Sequence, residues 1–150
     1  MWQKLIRTND DAAALVSRLA LGGVIFPHGA QKLFGWFGGK GVSGTIEFFD
    51  QVLHVAPVLT FLVIMAESLG ALALVIGLAG RFMAFSIGLV MLGAMYIVHF
   101  RWGFFMNWYA KPQGEGIEYH LLALGLVIAI MIKGSGQWSV DRILTQKFSK

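Results

Sequence analysis

The chain contains no cysteine among its 150 residues. That absence excludes a disulfide relay, a thiolate nucleophile, haem attached through Cys-x-x-Cys-His and an iron–sulfur cluster on its usual ligands. Any redox role therefore needs a non-covalent cofactor, a diffusible quinone or a partner subunit. Charge is scarce as well: Asp, Glu, Lys and Arg make up 13% of the residues, against about 25% in a soluble domain. Hydrophobic residues reach 57%, so the natural solvent for much of this surface is lipid. The formal net charge of +4 does not indicate a nucleic-acid partner, because the basic residues are scattered at helix ends and form no stripe. No internal repeat, low-complexity tract or linker divides the chain, and residues 1–150 read as one domain. Asp10 and Asp11 interrupt the basic start, and no cleavage site follows a short apolar core, so the N-terminus reads as retained.

What is present is a set of long apolar runs. They predict an all-α integral membrane protein, a four-transmembrane-helix bundle with spans at about 12–35, 57–79, 82–100 and 117–133. Each is near the roughly 20 residues needed to cross a bilayer. Asn9 or Asp10 is the expected cap of the first, and Pro57 opens the second. The Gly80-Arg81 connection is so short that spans two and three must be antiparallel neighbours. Between spans one and two, residues 45–55 put Ile46, Phe49, Val52 and Leu53 on one side, as a short amphipathic helix at the interface would. Ser139 offers a cap for a further amphipathic helix in the tail. Lys4, Arg7, Arg81, Lys133, Arg142, Lys147 and Lys150 fall on the side of the termini, against Lys32, Lys40, Arg101 and Lys111 opposite. This asymmetry predicts cytoplasmic termini. Trp36, Trp102 and Trp108 then mark the outer interface, and Trp2 and Trp138 the inner one.

Ionisable residues inside the spans are the candidates for function, because lipid penalises them. Arg18, Gly22, Gly29 and Lys32 share one face of the first span, with His28 at its edge and Pro27 as a kink. Glu67 lies about 15 Å into the second span and Arg18 about 9 Å in from the other side, by helical rise. Those depths bring the two within reach of a buried charge pair. His28, Lys32, Tyr96, His99 and Glu118 lie toward the outer ends and are the pocket candidates. A quinone head group needs only a few donors and an apolar slot, which these residues could supply. Haem or a metal is a weaker expectation, since neither EExxH nor HExxH occurs. His120 is about 200° from Glu118 on the wheel and reads as a headgroup-level residue. Ala66, Gly70, Ala73 and Gly77 form a small-residue stripe that serves helix packing or a homo-oligomer.

Four segments together resemble the DoxX family of small bacterial membrane proteins. They are RLALGGVIFPHGAQKLFG, ESLGALALVIGLAGR, GIEYHLLAL and GSGQWSVDR, in this order, within about Ala12 to Ile143. The resemblance implies a four-helix bundle of the inner membrane with Arg18, His28, Gly29, Lys32, Glu67, Arg81 and Glu118 at family-typical positions. It also implies a link to quinone-dependent sulfur or thiol redox chemistry, or to oxidative-stress defence. The name-giving relatives are associated with thiosulfate:quinone oxidoreductase. Nothing in this chain resembles a soluble catalytic subunit, so such chemistry would require a soluble or membrane oxidoreductase partner. The expected function is a non-catalytic or co-catalytic membrane subunit of a quinone-linked redox system. The alternatives are a small transporter or permeation unit for a weak acid or anion, and a membrane assembly protein.

Overall fold

The computed structural model describes residues 5–110 and 113–148. Trp2, Lys4, Lys111 and Lys150, which entered the interface and orientation expectations, lie outside the described residues. Among the described residues there is no strand. The helices are α1 (Ala12–Phe34), α2 (Gly41–Leu53), α3 (Pro57–Ile76), α4 (Gly80–Trp102), α5 (Glu118–Lys133) and α6 (Val140–Phe148).

Local chemistry accounts for the boundaries. The cap of α1 is Asp11, not Asn9 or Asp10: its carboxylate accepts from the Ala14 amide at 3.0 Å. The helix stops where Gly35 turns left-handed at φ 75°. Helix α3 ends at Ile76, three residues before the expected limit, because Gly77 (φ 71°) and Ala79 (φ 49°) are both left-handed. Ser139 does cap α6, accepting from the Arg142 amide at 3.1 Å. Two irregularities were not expected: a π turn over Ala66–Gly70 within α3 and another over Met95–His99 within α4.

Leu21 and Ile25 of α1, Ala71 and Leu74 of α3, Ile87 of α4 and Val127 of α5 meet in one buried core. Helix α1 packs against the second half of α3 and against α5, while α4 packs along α5. Close approach depends on glycine. A Cβ on Gly22 would come within 2.8 Å of the Ala71 carbonyl, and one on Gly29 would overlap the Glu67 backbone. The outside is also apolar: Val16, Leu122 and Ile132 are each 65–71% exposed. Apolar patches this extensive are rare on a soluble monomer.

Among the described residues, three helices are long and apolar enough to cross a membrane, α1, α3 and α4, with mean hydropathies of 1.3, 2.3 and 1.9. Helix α5 has 16 residues, or about 24 Å at 1.5 Å per residue, short of the roughly 30 Å hydrocarbon core. The segment at 45–55 belongs to a 13-residue helix, α2, which begins earlier than expected and lies against α1 and the first half of α3. That first half, Pro57–Met65, parts from α4, whereas the π turn and Ala71–Ile76 remain against it. The α3–α4 hairpin is therefore closed at its turn and splayed at its open end.

Candidate functional site

The buried charges resolve into two groups at opposite ends of the bundle. At the hairpin-turn end, Arg18 is 1% exposed and donates to five backbone carbonyls. These are Leu74 (3.1 Å) and Val75 at the end of α3, and Ser135 (2.8 Å), Gln137 (3.0 Å) and Trp138 (2.9 Å) beyond α5. Asp141, also 1% exposed, accepts from the Ala79 and Gly80 amides and from Ser135 Oγ at 2.6–2.9 Å. Arg81 similarly serves the carbonyls of Met131 and Ile132 at the end of α5 and those of Leu5 and Arg7. These arginines supply donors to helix C-termini, whose last carbonyls have no partner within their own helices. At the same end the half-buried Asp11 carboxyl is held below its usual range, chiefly by its 2.8 Å bond to Lys133 and next by the Ala14 amide.

The expected pair of Arg18 with Glu67 does not form. Glu67 instead takes Lys32, at 2.5 Å, with side-chain exposures of 7% and 20%. The reason lies in axial level and side-chain direction: Gly29, not Arg18, meets the Glu67 backbone, which leaves Arg18 about 16 Å away along α1. Cα–Cβ bonds tilt toward a helix N-terminus, so Arg18 reaches back to the end of the bundle while Lys32, much further along α1, reaches back toward its middle. Gly29 completes the geometry by letting α1 touch the backbone of the α3 π turn, one helical turn before Lys32. Insertions of this kind in a helix occur frequently at functional sites.

Beside that ion pair lies a cavity of about 1080 Å³, between the splayed halves of α3 and α4 and floored by α1. His28, Lys32, Glu67, His99, Tyr119 and His120 make its polar end. Apart from Ser86 and Glu115 the rest is apolar, including Leu62, Leu69, Phe82 and Leu89, which are 53–58% exposed on the outside of the bundle. Through these residues the cavity opens sideways, toward the surface that lipid would cover. His99 Nδ1 lies 2.8 Å from the Glu115 carbonyl, which can only accept, so Nδ1 carries the proton. The His99 ring is 4.2 Å from that of His120, and His28 faces Tyr119 at 6.4 Å between centroids. Tyr119 Oη and His120 Nδ1 are buried and have no hydrogen-bond partner among the described residues.

Of the pocket candidates, His28, Lys32 and His99 therefore line one cavity. Tyr96 does not: it is 81% exposed, because the π turn of Met95–His99 widens the helix and rotates Tyr96 away from the face of His99. Glu118 is also elsewhere, accepting from the Met106 amide at 3.1 Å. As the first residue of α5 it leans back over the 103–117 loop and ties it down. His120, expected at headgroup level, is instead 5% exposed. Its ring packs against that of His99, and just before it Gly116, Ile117 and Glu118 donate to Phe105, Gly103 and Phe104 at 2.9–3.1 Å. His120 and Tyr119 are the residues that the sequence reading missed, and nothing in the spacing signals this packing. Among the described residues, no three His, Asp or Glu side chains come together as metal ligands would.

Comparison with known proteins adds one finding. The family model described as DoxX matches residues 13–100, from α1 through most of α4, which includes Arg18, His28, Lys32, Glu67 and His99. Neither the curated proteins nor the solved structures provide a significant match.

Proposed function

This chain belongs to the DoxX family, and from that premise we propose that it is the membrane subunit of a quinone-linked redox system in the bacterial inner membrane. The observation that carries the reading is the cavity beside Lys32 and Glu67: apolar for most of its wall, polar at one end, and open to the side of the bundle. An isoprenoid quinone has the matching division between a small polar ring and a hydrocarbon tail. His28 and His99 are the groups nearest to hand for exchanging protons with its ring oxygens. Electrons would come from a soluble or membrane partner subunit, since a chain without cysteine has no thiol relay of its own.

In this reading α5 is the fourth span. Its 16 residues fall a few ångströms short of the hydrocarbon thickness, a mismatch that local bilayer thinning and the long Lys133 side chain accommodate. Arg7, Arg81, Lys133, Arg142 and Lys147 gather at the end that also holds α6. The positive-inside rule then puts both termini in the cytoplasm.

The anion-permeation alternative has less support, because the cations it would use are engaged: Arg18 by five carbonyls and Lys32 by Glu67. The test is to solubilise the protein gently, record oxidised and dithionite-reduced spectra, and extract bound quinone. Quinone near one equivalent, reducible in place, supports the proposal. A quinone-free preparation that takes up none when it is added would refute it.

A further inference from the structure

Two polar atoms in the cavity wall stand out for what they lack. Tyr119 Oη and His120 Nδ1 are buried without partners, and both side chains line the same cavity. A buried polar group left unsatisfied costs about 1–3 kcal/mol, and such groups in native proteins call for an explanation. Their neighbours do not supply one: His99 is engaged with Glu115 and Lys32 with Glu67. Lys32 and Glu67 in the wall cancel, and the Glu115 carboxylate, also in the wall, accepts from the Asn107 amide, so no free cation there selects an anionic head. Beyond this end the wall is apolar, apart from Ser86, as far as the lateral opening between α3 and α4, where Leu62 and Leu89 are 58% and 55% exposed. A volume of about 1080 Å³ is at the upper end of ligand sites, about 300–1,000 Å³, and more than one ring fills.

We propose that Tyr119 and His120 are the head-group ligands of an uncharged, single-tailed amphiphile that enters from the bilayer between α3 and α4. The tail lies along the hydrocarbon wall. The head carries a carbonyl or hydroxyl oxygen; Tyr119 Oη and His120 Nδ1, covered by packing without the ligand, turn into the cavity to meet it, Oη donating and Nδ1 pairing in whichever tautomer the head requires. The inference rests on the same cavity as the quinone reading, but it assigns the recognising atoms and the direction of access, and a quinone is one member of the class it describes.

The experiment uses the full chain in lipid nanodiscs and reads the rise in melting temperature with ligand concentration, which reports affinity. The probes are decylubiquinone, its analogue without the decyl tail, 4-decylphenol and decyl phosphate. Decylubiquinone and 4-decylphenol are expected to bind, the tail-free ring and the phosphate at least tenfold more weakly. Tyr119→Phe and His120→Leu should each weaken binding by roughly two- to tenfold, the worth of one hydrogen bond. They should leave the ligand-free melting temperature unchanged or higher, since each removes an unsatisfied polar atom. A purely structural role predicts the opposite pair of signs. Leu62→Trp, at the exposed mouth, should block both tailed probes. Binding by 4-decylphenol and not decylubiquinone would end the quinone reading and uphold this one. Decylubiquinone binding that is indifferent to Tyr119→Phe and His120→Leu would do the reverse. Equal binding of the phosphate or of the tail-free ring would overturn the proposal.

Discussion

Replacing Lys32 by Met is the sharpest probe of the buried pair. The substitution keeps the length of the side chain but strands the Glu67 carboxyl, which is 7% exposed and has Lys32 as its partner at 2.5 Å. Breaking a buried pair by removing one member costs about 3–5 kcal/mol. Lys32 keeps 20% of its side chain exposed, which admits some solvent, so the lower bound of about 3 kcal/mol applies. At roughly 2–4 °C per kcal/mol for a chain of this size, the melting temperature should fall by roughly 6–12 °C. The assay is thermal unfolding in a mild detergent, followed by tryptophan fluorescence. The double variant Lys32→Met/Glu67→Leu should recover to within about 1 kcal/mol of the parent, because an apolar pair of similar volume replaces a desolvated ionic one. A Lys32→Met protein that melts with the parent, or a double variant that falls by the sum of the singles, would refute the pairing and the burial argument with it.

Five further outcomes are expected. Gly29→Ala should destabilise by at least about 1–3 kcal/mol, as overpacking does, because its Cβ meets the Glu67 backbone. Gly23→Ala, with open space around it, should stabilise by about 0.5–1 kcal/mol; the two melting curves compared side by side check both. Arg18→Met removes the donor from five carbonyls and should make the 134–148 tail cleavable by protease at temperatures where the parent resists. The Asp11 carboxyl is held below 3.8, its ordinary value. Its contribution is therefore present above that value and lost as pH falls through the lower folded value. Asp11→Asn should show a lowered melting temperature at neutral pH and a shallower acid decline, seen in melts across pH 2–7. Tyr96→Phe, at an outward-facing residue, should leave amphiphile binding unchanged in the nanodisc titration.

Helix positions were legible because they depend on composition over a window of residues. The run that predicted a span at about 12–35 folds as Ala12–Phe34, and the tail helix starts after its Ser139 cap. Partnerships were less legible. Depth along a helix axis placed Arg18 and Glu67 at similar levels, but the helices pack with Gly29 beside Glu67, about 16 Å along α1 from Arg18, and the tilt of Cα–Cβ bonds sends Arg18 outward to the end of the bundle and Lys32 inward. Tyr96 was read on an ideal wheel, and the π turn over Met95–His99 alters the angle between it and His99. No periodicity marks such a turn. His120 was misplaced because the start of α5 turns its ring inward against His99 of α4, 4.2 Å between centroids, a packing that no pattern of hydrophobic residues marks. The wheel arithmetic that separated Glu118 from His120 was sound, but it was attached to the wrong outside.

The clasp around Arg18 has a consequence for how the protein is made. Its first carbonyls belong to Leu74 and Val75, and its last to Ser135, Gln137 and Trp138, some 120 residues after the arginine itself. A chain emerging from the ribosome must insert α1 with a guanidinium that has none of these partners, and must keep it near water until the tail is synthesised. Final seating of the first helix therefore waits until Ser135, Gln137 and Trp138 have been made. The Gly134–Asp141 segment is then a step in assembly as much as a connection. A nascent chain stopped before Ser135 would hold α1 in an unfinished state that membrane quality control could recognise.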